Sequence, residues 1–201
     1  MSPVHRRTIK LGGSLLDLDD LAPRIRKWLA TEPPMQNVIL VGGGRLADGI
    51  RESHVRHNLS EEAAHWLCVR ILGITAEMVA RLLPESLLVS RLEDLLAMER
   101  TDRLLVFECE RWLRDLQPSR YGDNLPHTWD VTSDSIAAAL AVAITADELV
   151  LLKSRGFSKS WTSLSDAADA GYVDQHFRVV AERVPHLRFV DFRTAVRDGI
   201  A

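Results

Sequence analysis

Short apolar runs punctuate the 201-residue chain at positions 8–11, 37–41, 87–90, 104–107, 149–152 and 187–190. Each is brief enough, and rich enough in β-branched residues, to form a strand. Between them the apolar positions recur at helical spacing, which predicts helices over 15–29, 45–57, 60–83, 91–99, 133–145 and 173–184. Runs such as "VILV" and "LVLL" have no polar alternate positions. Strands of that kind belong to a mostly parallel sheet covered by helices on both faces. The alternation therefore predicts an α/β fold, a three-layer αβα sandwich, with one domain spanning 1–201. One segment breaks it: "LQPSRYGDNLPHTW" at 116–129 reads as a long loop, a length often kept for function.

In a parallel sheet the carboxyl ends of the strands share an edge, and ligands usually bind in the turns that follow them. Three turns stand out there. In "TIKLGGSLLD", Lys10 precedes Gly12, Gly13 and Ser14, and the helix expected from position 15 would add its N-terminal dipole. Glycines admit an anion close to backbone amides, and a lysine supplies a full charge for phosphate oxygens. The order is wrong for a Walker A loop, in which lysine follows the glycines, and the spacing is not G-x-G-x-x-G. In "VGGGRLADGIR", Gly42, Gly43 and Gly44 follow the second strand and Arg45 opens the next helix. Tight helix–strand packing is the other use for such glycines, but a run of three carries an entropic cost that packing rarely requires.

The third turn is "WDVTSDSIAAALA", where Thr132 and Ser133 are good N-cap residues and Asp134 falls in the first turn of an alanine-rich helix. Complementing the helix dipole, worth about 0.3–1 kcal/mol, would account for an isolated aspartate there. Beside two candidate phosphate cradles it has a second use, holding lysine ammonium groups in place. Lys153, after "LVLL", would bring another cation to the same edge, as phosphoryl transfer requires when charge moves to the leaving group.

Composition narrows the partners. With 46% hydrophobic and 26% charged residues the chain can bury one ordinary core, and a net charge of −3 with a pI near 6.2 leaves no basic footprint for nucleic acid. "MSPVHRRTIKLGG" has too short an apolar run for a secretory signal, and no stretch is read as a membrane span, so a cytoplasmic location is expected. Cys68 and Cys109 lack metal-ligand spacing and are expected to be buried structural thiols. None of the seven histidines has metal spacing, so no protein-built metal site is expected.

Taken in order, "IKLGGS", "VGGGR" and "TSDSIAAALA" resemble the amino acid kinase superfamily, which includes acetylglutamate, aspartate, uridylate and isopentenyl phosphate kinases. The likeness spans nearly the whole chain. It implies an αβα sandwich that transfers the γ-phosphoryl group of MgATP to a carboxylate or a phosphate without a covalent enzyme intermediate. Within the superfamily, "GGGRLADGIRESHVRHNLSEEAAHWLCV" and "HTWDVTSDSIAAALA" look like a small branch, the aminomethylfuran-methyl phosphate kinases of methanofuran biosynthesis and their bacterial relatives. That branch implies a phosphate monoester as acceptor and a diphosphate as product.

The same resemblance implies roles for residues. Lys10, Gly12, Gly13 and Ser14 would bind the donor phosphates, and Gly43, Gly44 and Arg45 the acceptor's anionic group. Asp134 would be the organising aspartate and Lys153 the second cation. Lys159 competes for that part, because the chain reads "LLKSRGFSKSW" where larger kinases have a Thr-Asp pair and a later lysine. Were the acceptor an aminomethylfuran, Trp129 would meet its ring and Asp130 its ammonium; a core tryptophan and a turn aspartate are an equally good reading of the pair. His65 and Trp66 are expected to pack, as are Val173 and Phe177 of "GYVDQHF". ATP and Mg²⁺ are the implied cofactors, with Mg²⁺ arriving on the nucleotide. A homodimer or higher homo-oligomer is implied as well. Two alternatives stay open: a carboxylate kinase, and a nucleotide- or oxyanion-binding protein without turnover.

Overall fold

The apolar runs become strands with two buried faces. In the computed structural model of the chain, which describes residues 5–98, 103–115 and 125–195, six strands form one sheet: β1 (Arg6–Leu11), β2 (Gln36–Val41), β3 (Leu87–Val89), β4 (Leu105–Phe107), β5 (Glu148–Lys153) and β6 (His186–Asp191). Their order is β3-β4-β2-β1-β5-β6, and every pairing is parallel.

Side chains alternate between two cores, as a pleated strand requires. Val38, Leu40, Leu149 and Leu151 enter one core, shared with α6 (Ser133–Ala143) and α8 (Phe177–Ala181). Ile39, Val41, Val150 and Leu152 enter the other, where α1 (Leu21–Thr31) contributes Leu21, Ile25 and Trp28. The long helix α3 (Glu61–Leu82) gives Val69 and Leu72 to the first core and Ala76 and Val79 to the second. By length and a mean hydropathy of 1.3 in its most apolar window, α3 is the one described helix that could cross a bilayer. The expectation that no stretch approaches a span is corrected to that extent. The remaining helices are α2 (Gly44–His57), α4 (Leu92–Ala97), α5 (Glu110–Asp115) and α7 (Leu164–Asp169).

Two expected helices are shorter than their apolar spacing suggested. The segment after β1 makes only a 3-10 turn at Gly13–Leu15, and α1 starts at Leu21. Asp17, Asp19 and Asp20 lie between, and aspartates favour turns and caps over helix interiors. No long-helix dipole therefore backs the first glycine turn. The helix expected over 173–184 is confined to Phe177–Ala181, because the Asp174 carboxylate accepts from the Phe177 amide at 2.9 Å and makes a turn. Helix α7 was not expected; Ser163 and Asp166 form a capping box at its start. Of the loop at 116–129, residues 116–124 lie outside those described.

At the amino ends of the strands the sheet is closed by charge. Arg7, 1% exposed, donates to Glu148 and lies 3.3 Å from Glu32, while Arg188 donates to both carboxylates. The buried Arg7 thus has opposite charges beside it, the condition under which a buried ion is tolerated, and the partly exposed Arg188 completes the set. At the carboxyl ends the two glycine turns meet backbone to backbone. A Cβ on Gly13 would lie 2.1 Å from the Gly44 nitrogen, and one on Gly42 would lie 2.7 Å from the Gly13 nitrogen. Gly44 also has φ +55°, a left-handed backbone that favours glycine. The glycines thus serve first to let the turns touch. Gly13→Ala is expected to cost about 3 kcal/mol, since two backbones must separate. Urea unfolding checks this, and a loss below about 0.5 kcal/mol, the size of an ordinary surface change, contradicts it.

Candidate functional site

The parity of two strands and the first turn of one helix bring three charges together. Lys10 pairs in register with Leu40 and Leu151, so it projects into the face that α6 covers. Lys153 shares the parity of Leu149 and Leu151 at the end of β5. Asp134 lies between them in the first turn of α6, whose N-cap Thr132 accepts from the Asp134 amide. Its carboxylate is 2.7 Å from Lys10 Nζ and accepts from Lys153 Nζ at 2.6 Å. Lys10 is 5% and Asp134 4% exposed, so the trio is formed away from bulk water.

Burial alone would push the Asp134 carboxyl up, but the two ammonium charges outweigh it and hold the group below its ordinary range. Burial pushes Lys153 the other way, and the Lys10 charge adds to that; Asp134 offsets only part, leaving Lys153 at about 8. Lys153 also donates to the Tyr172 carbonyl at 2.7 Å and sits 5.1 Å from that ring's centre.

Lys10 opens onto a cavity of about 360 Å³ lined by both glycine turns, by Arg45 and by Thr132 and Ser133. The backbone amides of Gly13, Ser14, Gly44 and Arg45 take no acceptor among the described residues. Arg45 pairs with Asp17 at 3.2 Å and Arg51 with Asp48 at 2.5 Å, whereas Lys10 and Lys153 share one carboxylate; the net positive charge of the trio and the free amides are the features that attract an anion. A smaller void of about 50 Å³ adjoins this cavity, between Gly43, Arg51, His65, Cys68 and Trp129. A separate cavity of about 500 Å³ at the amino edge is lined by the paired Arg7, Glu32, Glu148 and Arg188.

Not every residue singled out in the sequence comes to this place. Gly12 does not line the cavity; its amide donates to the Leu152 carbonyl at 2.9 Å and ties the turn to β5. Ser14 lines it and donates to Ser154 at 3.0 Å. Trp129 lines the small void, with the Arg51 guanidinium 5.6 Å from its ring centre. Asp130 and Lys159 are exposed and line neither. It is therefore Lys153, not Lys159, that the fold brings to Asp134. His65 faces the void as well as packing, and burial with the charge of the stacked His127 lowers its pKa. Cys109 is buried, but Cys68 is only half-buried at the void.

The sequence reading missed Arg51 and Asp174. Arg51 lies seven positions after Gly44, on the same face of α2, and counting helical turns from the glycines would have found it. Asp174 lies in "GYVDQHF", which resembles the family's VD-x-x-F element, but only Val173 and Phe177 were singled out there, because the aspartate's partners on α6 are some forty residues away.

Among known proteins, no family model matches the chain. It is 26% identical over 147 residues to the [5-(aminomethyl)furan-3-yl]methyl phosphate kinase of Methanocaldococcus jannaschii, a match covering 71% of this chain and 63% of that protein. The fold matches uridylate kinase from Archaeoglobus fulgidus with a TM-score of 0.63 and 18% identity, over 96% of this chain and 94% of that one. It matches UMP kinase from Bacillus anthracis at 0.65 and 16%, over 98% and 92%. Aspartate kinase from Synechocystis gives 0.60 and 14%, over 91% of this chain and 38% of that one. At these identities the structural likeness is one of fold: the chain has the αβα fold of the amino acid kinase superfamily.

The trio makes a stability prediction. Asp134→Ala leaves two buried ammonium groups facing each other, and breaking a buried pair costs about 3–5 kcal/mol at neutral pH. Unfolded lysines keep their protons to about pH 10.4, whereas Lys153 without its carboxylate releases its proton below the wild-type value of about 8. The unfolded variant then binds more protons, so its stability recovers as pH rises. Urea unfolding at pH 7 and pH 9 is expected to show a smaller deficit at pH 9; equal deficits contradict the assignment.

Proposed function

We propose that this chain, with the fold of the amino acid kinase superfamily, is an ATP-dependent kinase that transfers a γ-phosphoryl group to a phosphate monoester. The observation that carries the reading is the buried Lys10–Asp134–Lys153 trio beneath two touching glycine turns with free amides. The sequence likeness to the aminomethylfuran-methyl phosphate kinase supports the finer proposal, that the acceptor is an aminomethylfuran-methyl phosphate in methanofuran-type cofactor synthesis.

In this reading the amides of Gly13 and Ser14 hold donor phosphate oxygens, and those of Gly44 and Arg45 hold the acceptor phosphate. Lys10 reaches the group in transit. Lys153 stands behind Asp134 and keeps the carboxylate turned towards Lys10, and Asp134 orients both ammonium groups without touching phosphate. No general base is needed, because a phosphate acceptor is already ionised near neutral pH. Positioning and electrostatic stabilisation by preorganised donors then supply the rate enhancement. Trp129 and the void beside it suit a flat ring at the acceptor end.

The residues present fit MgATP: free amides and a buried lysine suit its phosphates. Among the described residues no group of three or more His, Cys, Asp or Glu could hold a metal ion, so Mg²⁺ would be carried by phosphate oxygens and water. Bound there, MgATP supplies the phosphoryl group and neutralises part of its charge.

The test is ³¹P NMR of the protein with MgATP and a panel of phosphorylated furans, nucleotides and isoprenoids. A diphosphate product and ADP are expected, with no hydroxamate on addition of hydroxylamine. Lys10→Ala is expected to lower kcat by about 10²–10³-fold, the scale of losing one preorganised donor to developing charge. Hydroxamate formation would point to a carboxylate acceptor, and nucleotide binding with no transfer to any acceptor would overturn the kinase reading.

A further inference from the structure

Asp174 belongs to no motif of the glycine turns, yet five donors converge on its two oxygens. One oxygen accepts from the Thr132 amide at 3.0 Å, the Thr132 hydroxyl at 2.8 Å and the Ser135 amide at 3.1 Å. The other accepts from the Ser135 hydroxyl and, at 2.9 Å, from the Phe177 amide. Thr132 and Ser135 flank Asp134 on either side in the first turn of α6. Two residues before Asp174, the Tyr172 carbonyl accepts from Lys153 Nζ. One short segment therefore grips both the turn that carries Asp134 and the ammonium that Asp134 holds.

We infer that Asp174 is a positioning residue: its carboxylate clamps the first turn of α6 to the segment carrying Tyr172 and thereby fixes Asp134 and Lys153 relative to each other. The inference rests on the proposed kinase reading for its kinetic consequences, but the clamp itself is a property of the chain. A carboxylate suits this place because it offers acceptors only, and five donors exceed what a neutral amide can satisfy. Asparagine would turn an NH₂ group towards donors and leave at least one N–H or O–H unpaired.

The clamp also has an electrostatic signature that a merely structural brace lacks. The groups facing Lys153 are Lys10 from β1, Asp134 from α6, and Asp174 and Tyr172 from the segment before α8, with Arg155 over the same tyrosine ring. Burial and Lys10 lower the lysine's pKa, while Asp134 and Asp174 raise it. Removing the charge of Asp174 must therefore let Lys153 lose its proton at a lower pH.

The test compares Asp174→Asn and Asp174→Glu with the wild type, with folding monitored by thermal unfolding. In Asp174→Asn, kcat is expected to fall about tenfold, the rate equivalent of a lost hydrogen bond to a charged group. The KM for ATP should stay within about twofold, and the alkaline limb of the rate profile should move to lower pH than in the wild type, in the direction expected when a charge that raises the Lys153 pKa is removed. Asp174→Glu keeps the charge but displaces it by one methylene, so kcat should fall while the limb stays in place. Titration of Lys153 Nζ by ¹⁵N NMR, without any substrate, reads the same shift. A wild-type chain that turns nothing over refutes the kinase reading, and the NMR arm then decides the clamp alone. An unshifted Lys153 titration in Asp174→Asn overturns the inference. If Asp174→Asn does not fold, full wild-type kcat in Asp174→Glu overturns it.

Discussion

A carboxylate held between two ammonium groups in a place closed to water is the constraint around which this fold is arranged. The two ammonium charges keep Asp134 ionised against the effect of burial, and Asp134 in turn raises the Lys153 pKa that burial and Lys10 lower. Three elements must agree for the contact to exist: β1 and β5 must present their lysines to the same face, and the first turn of α6 must drop onto that face. The neighbouring strands β1 and β5 supply that agreement by parallel register. Removing Asp134 leaves two buried ammonium groups without a counterpart, and removing either lysine takes away one of the two charges that keep Asp134 ionised.

The glycine turns are the second half of the arrangement, and they explain why a charged trio can lie next to a cavity. Because Gly13 and Gly44 approach closer than any side chain allows, their amides stay near the trio and free of other partners. Lys10 then faces a space bounded by N–H groups, where an anion is favoured and a neutral ligand gains little. Packing and anion binding are one requirement here, since the contact that excludes side chains also leaves the amides open. The opposite edge of the sheet shows the contrast: Arg7 and Arg188 are equally charged, but Glu32 and Glu148 satisfy them fully.

How much of this was legible along the chain depended on how local each signal is. The strands were readable because both faces are apolar, and the parallel αβα layering followed from that. Lys10, Gly13, Gly44 and Asp134 were readable because each lies in a short turn whose chemistry is contained within a few residues. Helix starts were misjudged before α1, where Asp17, Asp19 and Asp20 interrupt a helical apolar spacing, and before α8, where the Asp174 side chain accepts from the Phe177 amide. Lys153 was the expected second cation, with Lys159 as its competitor; the strand's alternation, continued from Leu149 and Leu151, is what takes Lys153 to Asp134. Asp174 lies in a segment the sequence did mark, "GYVDQHF", but its role was not legible because Thr132 and Ser135 are brought to it only by the packing of α6 against α8.

If the trio and the two turns form one phosphoryl-transfer centre, the position of a bound nucleotide decides the matter. A crystal structure of the protein with a non-hydrolysable MgATP analogue is the direct measurement. The terminal phosphate is expected within hydrogen-bond distance of Lys10 Nζ and of the Gly13 and Ser14 amides, with Asp134 still bridging both lysines. A nucleotide whose phosphates lie elsewhere, for example in the cavity at the amino ends of the strands, would contradict it.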